Sequence, residues 1–126
     1  MGLKRTKADA LFSDYIRDLA DWKCERCGTE FERPNRNLHC SHFHSRINRS
    51  TRFDKENAAS LCAGCHFRLG NNPAEHSTFF LKRLGQEKYE ELNRRAHEPM
   101  KVNEKDVVIM YTNLIQKLKD ERKALK

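Results

Sequence analysis

Three features of the sequence predict a small α+β fold, with a β-hairpin and a helix stapled at the centre and helices at either end. Two Cys-x-x-Cys pairs, Cys24/Cys27 and Cys62/Cys65, stand with 34 residues between them. Two short runs rich in strand-forming residues lie inside that interval, Leu38 to Phe43 and Asn57 to Leu61. Helical stripes of apolar residues flank it on both sides. Two such cysteine turns complete the tetrahedral four-sulfur shell that Zn²⁺ prefers. With 37% hydrophobic and 34% charged residues in 126, the core is small for the length and a staple is expected.

The N-terminal unit, 1–22, reads as a helix packing on the core. Its stripe is Ala8, Leu11, Phe12, Tyr15, Ile16, Leu19 and Trp22. The central unit, 23–97, starts at the first cysteine pair, where Gly28 permits the tight turn of a zinc knuckle. Pro34-Asn35 marks a loop tip, and the two strands follow. A helix is predicted from Ala63 to about Leu69, stopped by Gly70-Asn71-Asn72. Asn72-Pro73-Ala74-Glu75 caps the next helix, which carries Phe79, Phe80, Leu81 and Leu84 and ends at Gly85. Gln86 to Ala96 is a further helix presenting Tyr89 and Leu92. The last unit, 98–126, is an amphipathic helix capped at Asn103, with the stripe Val107, Val108, Tyr111, Leu114, Ile115 and Leu118. Its basic last turn, to Lys126, complements the helix dipole. That stripe suits packing on the chain's own domain, and a dimer seam or docking surface is the other use for it.

A net charge of +7 and a pI near 9.3 favour a polyanionic partner. Arg33, Arg36, Arg46, Arg49, Arg52 and Lys55 face a single acid, Asp54, across the stretch that also holds His39, His42 and His44. No apolar run reaches the ~18 residues of a membrane helix, and no signal-peptide core is visible, so a cytoplasmic protein without a membrane partner is expected. Cys40 is left over as a small buried strand residue. Cys62-x-x-Cys65-His66 also fits a c-type haem attachment pattern, but that reading leaves the first cysteine pair without a role.

Within this frame His42 on a strand, Asn57 at the start of the second strand and His66 after the knuckle suit metal-assisted phosphodiester hydrolysis. One neutral imidazole takes a proton from water, and another ligates a divalent cation at the phosphate. The zinc clamp is expected to bring His42 and His66 near one another. The runs Cys40-Ser41-His42-Phe43-x-Ser45-Arg46, Thr51-Arg52-Phe53-Asp54-x-x-Asn57 and Cys62-x-x-Cys65-His66 resemble the HNH (ββα-metal) endonuclease superfamily. More narrowly, they are similar to its phage NinG/Rap recombination-protein branch over about residues 22–97.

The resemblance implies a small zinc-stapled ββα-metal (HNH) domain with a β-hairpin and flanking helices. It implies His42 as general base, Asn57 as a restraint on the loop, and His66 as ligand of a catalytic Mg²⁺ or Mn²⁺. It further implies Cys24, Cys27, Cys62 and Cys65 as structural zinc ligands, and Arg46 and Arg52 as phosphate contacts. Arg49 falls in the same basic segment. Ser41 departs from the pattern, since relatives place a carboxylate or imidazole there and a hydroxyl is a weak ligand for such ions. Water, His39, His44 or Asp54 could stand in. His76 and His97 read as solvated helix residues, and Trp22 and Phe43 as core. The expected activity is nicking or structure-selective cleavage of DNA by backbone-led binding, in a phage or prophage protein of a bacterial host. The rival readings are a non-catalytic zinc-ribbon module that binds DNA or protein, and a packaging accessory that docks a phage partner through its last helix.

Overall fold

The computed structural model describes residues 3–125, and Lys126 of the expected basic turn lies outside them. Helix α1 spans Lys7–Leu19. Thr6 and Asp9 start it with a reciprocal capping box, which satisfies two of the otherwise unpaired backbone donors of the first turn. The helix stops three residues short of Trp22, the last member of its stripe. Asp21 and Trp22 adopt left-handed backbone angles, φ 55° and 58°. Tertiary partners hold Trp22 there: its indole donates to Asp18 at 2.7 Å, and the guanidiniums of Arg17 and Arg33 sit over its ring at 5.3 and 5.6 Å.

Strand β1, Leu38–His42, pairs antiparallel with β2, Ala58–Cys62, in the register His39 to Leu61 and His42 to Ala58. The connection contains a short helix that the sequence did not announce, α2 at Arg49–Arg52, and a 3₁₀ turn at Lys55–Asn57. Asn57 therefore closes a turn instead of opening a strand. Strand β2 runs directly into helix α3, Ala63–Gly70, with the Cys62 sulfur accepting the Cys65 N–H as an N-cap. Helix α4 is Pro73–Leu84 and α5 is Gln86–Ala96, hinged at Gly85, whose φ of 86° suits the residue without a Cβ. Helix α6, Glu104–Ala124, is capped by the Asn103 side chain.

The hairpin lies between two apolar clusters. On one side Trp22, Leu38, Ala59, Leu61, Leu69 and Phe80 pack with Cys24 and Cys65, so α3 and α4 close over the zinc-knuckle cysteines. On the other, Phe12, Tyr15 and Ile16 of α1 meet Ala58 and Tyr111, with Val107, Leu114, Ile115 and Leu118 of α6 against them. The stripe of α6 thus covers its own domain. The Tyr111 hydroxyl donates to the Phe53 carbonyl at 2.5 Å, which ties α6 to the inter-strand connection, and Arg122 donates to the Asp18 carbonyl, which ties it to α1.

Candidate metal centre and basic groove

The four sulfurs of Cys24, Cys27, Cys62 and Cys65 lie within 4.8 Å of one another. The Cys27 to Cys62 separation is 3.8 Å. A tetrahedron with Zn–S bonds of about 2.3 Å has edges of about 3.8 Å, so the cluster has the dimensions of a zinc site. The Cys24 and Cys62 sulfurs each accept a backbone N–H from the second cysteine of their pair, at 3.5 and 3.4 Å, and Arg26 donates to Cys65 at 3.3 Å. Such donors stabilise thiolates around a metal. Hydrogen bonding to Thr29 draws the Cys27 thiol down to about 6, whereas burial pushes Cys65 up to about 12. A cation among the sulfurs removes that conflict by deprotonating its ligands outright. The four cysteines are arranged to hold a metal ion, and the chemistry of the set is that of structural zinc.

The histidines divide between the two faces of the hairpin. Alternation along β1 sends residues 39 and 41 to one face and 40 and 42 to the other. It is His39, and not His42, that meets His66: their Nδ1 atoms are 2.9 Å apart, with the rings edge to face. Two imidazole nitrogens at that distance share either one proton or one cation. His42 turns towards α1, its ring 5.6 Å from that of Phe12. Its Nε2 lies 3.0 Å from the Arg52 carbonyl. A carbonyl only accepts, so Nε2 carries the proton and Nδ1 keeps the lone pair. Burial is the main reason that the His42 pKa falls below the ordinary imidazole value. Ser41 is buried opposite Ala59.

Asn57, fully buried, ties the inter-strand loop together. Its side-chain oxygen accepts the His44 N–H at 2.8 Å, and its amide donates to the carbonyls of His44 and Thr51 at 3.0 and 3.1 Å. His44 in turn reaches Asn93 of α5 at 2.7 Å. His76, expected in solvent, is half-buried with its ring against Phe43 and Phe80, because α4 lays this face on the hairpin. His97 is exposed and donates to the Asn93 carbonyl.

The three arginines singled out from the sequence have different fates. Arg52 is 4% exposed, and its guanidinium forks onto the buried Asp9 at 2.5 and 3.0 Å. Arg46 also reaches Asp9, at 3.3 Å, and donates to the Leu3 carbonyl. Only Arg49 is exposed without an ion pair among the described residues.

A different set of cations surrounds the His39–His66 pair. A groove of about 640 Å³ runs beside the β1 edge, lined by Arg5, Arg17 and Arg36 with both imidazoles. Arg17 is paired with Asp14, whereas Arg5 and Arg36 are exposed and have no ion pair among the described residues. Sequence reasoning named His39 only as a stand-in for the Ser41 ligand position and did not single out Arg5. The direct junction of β2 and α3 was the available signal, because it folds α3 over one face of the hairpin and selects which strand residues His66 can meet.

A family model described as Bacteriophage Lambda NinG protein matches residues 4–125. The chain belongs to this NinG family. The match extends beyond the 22–97 stretch that carries the motifs and takes in α1 and α6, so the helices closing the second apolar cluster belong to the family's shared unit. No curated protein and no solved structure matches the chain. No helix among the described residues is long and apolar enough to cross a membrane.

Proposed function

We propose that this NinG-family protein binds DNA through the groove beside β1, taking backbone phosphates on Arg5 and Arg36 while the zinc centre holds the groove floor in place. One observation carries the reading. Most arginines near the hairpin are neutralised by carboxylates, as Arg52, Arg83 and Arg95 are, yet two unpaired guanidiniums converge on the cavity that also holds two imidazoles. Uncompensated charge aimed into one groove is what a polyanionic backbone requires. The measurement is duplex affinity against salt concentration. Replacing Arg5 and Arg36 by Gln should flatten the log–log slope by about 0.9 for each lost phosphate contact. Parent and variant curves of equal slope reject this groove as the interface.

A second reading, favoured by the Nδ1 to Nδ1 approach of 2.9 Å, adds phosphodiester hydrolysis of the HNH type at the same groove. A divalent ion held by His39 and His66 would supply positive charge at the scissile phosphate. Two imidazoles favour a transition ion such as Mn²⁺ over Mg²⁺, which prefers oxygen ligands. His42 has the right protonation for a general base, with Nδ1 unprotonated and Nε2 anchored on a carbonyl, and Asn57 holds the loop that bears that carbonyl. His39 and His42 project from opposite faces of β1, which is why binding is the primary reading and cleavage the second. Plasmid nicking in Mn²⁺ separates the two. Loss of nicking in His39→Ala and in His42→Ala, with DNA still bound, supports hydrolysis. A parent protein that binds but never nicks is a zinc-stapled binding module. The family's phage description favours work inside an infected bacterium.

A further inference from the structure

The four sulfurs of the metal centre differ in their access to solvent. Cys24 and Cys65, one from each knuckle, are 2% and 6% exposed and pack with Trp22, Leu69 and Phe80. Cys27 is exposed and Cys62 is half-buried, so the remaining sulfur of each knuckle forms the solvent edge of the tetrahedron. These two outer sulfurs stand 3.8 Å apart. Each of the four accepts a hydrogen bond, but the donors are unlike. Backbone N–H groups serve Cys24 and Cys62, the Thr29 hydroxyl serves Cys27 at 3.2 Å, and the Arg26 guanidinium serves buried Cys65. A charged donor binds roughly twice as strongly as a neutral one, and it holds back the electron density a nucleophile needs. Access and electron density together favour Cys27 over Cys65 as the reactive sulfur, and access favours it over Cys24.

We propose that Cys27 is an oxidative modification site for hydroperoxides, and that its oxidation joins it to Cys62 and opens the zinc clamp. The Cys27 thiolate attacks one peroxide oxygen, the O–O bond breaks, and the other oxygen leaves as hydroxide or alkoxide, giving a sulfenic acid. The Cys62 thiolate then attacks that sulfur and displaces hydroxide, forming the S–S bond. The two sulfurs lose two electrons between them, the peroxide gains them, and two protons from solvent neutralise the two leaving anions. The sulfurs close from 3.8 Å to about 2.05 Å, at the solvent edge of the cluster where the least packing opposes the movement. Two of the four ligands are then consumed, and the inner pair, Cys24 and Cys65, cannot complete a tetrahedral shell. Cys62 caps α3 and Cys65 lies in its first turn, so the helix that carries His66 loses its anchor. None of this depends on whether the groove binds DNA.

The test treats the full zinc-loaded chain with hydrogen peroxide beside a chromogenic zinc indicator, then blocks free thiols with iodoacetamide and maps the peptides by mass spectrometry. Zinc release should keep pace with a cross-linked peptide pair containing Cys27 and Cys62, while Cys24 and Cys65 are recovered as alkylated thiols. Hydrogen exchange should rise across residues 63–70 in the oxidised chain, and dithiothreitol with added zinc should reverse it. Cys27→His keeps a ligand in a Cys₃His set and removes the reactive sulfur, so peroxide should release its zinc slower by about tenfold or more. A first disulfide within either knuckle, or a first oxidation at Cys24, Cys40 or Cys65, overturns the proposal. So does a parent that keeps its zinc in excess peroxide, or a Cys27→His protein that loses zinc at the parent rate. If Cys27→His takes up no zinc, the peptide map of the parent decides by itself.

Discussion

Replacing Asp9 by Asn should cost about 3–5 kcal/mol, the usual penalty for breaking a buried charge pair by removing one partner. Asp9 is 3% exposed, yet its carboxylate receives Arg52 at 2.5 and 3.0 Å, Arg46 at 3.3 Å and the Thr6 N–H at 2.9 Å. Burial by itself would raise its pKa; Arg52 and Thr6 outweigh burial and bring it from 3.8 down to about 2. At about 1.36 kcal/mol per pH unit, that depression is worth about 2.5 kcal/mol. The rest of the expected cost comes from the capping box and from the Arg52 guanidinium left facing an amide that matches only one of its donors.

The sign of the pH effect is defined. The folded-state pKa is the lower one, so the stabilisation is fully present above about pH 4 and is lost as pH falls through 2. Urea unfolding followed by Trp22 fluorescence at fixed zinc, on parent and Asp9→Asn side by side, measures it. The gap between the two should hold steady from pH 7 to 5, the range in which Asp9 is ionised in both the folded and the unfolded chain and the thiolates still hold zinc. A deficit under about 1 kcal/mol, the value of an ordinary surface pair, would refute the reasoning. So would a gap that changes between pH 7 and 5.

Three further outcomes follow from the same contacts. Cys24→Ser, or a strong chelator, should abolish cooperative unfolding, because a structural zinc contributes roughly 10–16 kcal/mol against the ~5–15 kcal/mol stability of a whole domain; calorimetry that still shows the parent transition would contradict the staple. Asn57→Asp should destabilise by about 2–4 kcal/mol, because two carbonyls lose their donor and face a carboxylate; hydrogen exchange should then rise across residues 43–53. Tyr111→Phe should cost about 1–2 kcal/mol by leaving the Phe53 carbonyl unpaired, with melting temperature as the readout.

What the sequence made legible is what local chemistry dictates. The cysteine spacing identified the four ligands, Asn72-Pro73 and Asn103 marked helix starts, and Gly85 marked the break between α4 and α5. The misreadings occur where a distant partner decides. The stripe of α1 runs on through Trp22, but Asp18, Arg17 and Arg33 capture that ring and end the helix early. Arg52 belongs to a basic segment, yet one carboxylate 43 residues away takes its guanidinium out of solvent. Composition counts such a charge as available for a ligand, and only packing reveals that it is spent.

The histidine pairing carries the same lesson further. Period-two alternation already separates His39 from His42, but it does not say which face of the strand receives α3. That choice is made by β2, whose last residue is also the N-cap of α3, so the helix must turn back over the side bearing Ala59 and Leu61. His39 pairs with Leu61 across the hairpin and is therefore delivered to His66. His42 pairs with Ala58 and is delivered to Phe12. A shift of one residue in the register would turn His39 to the other face, away from His66, and leave the groove with a single imidazole. The chemistry available to the groove is thus set by hairpin register, with the Asn57 hydrogen bonds at one end of β2 and the four-cysteine cluster at the other.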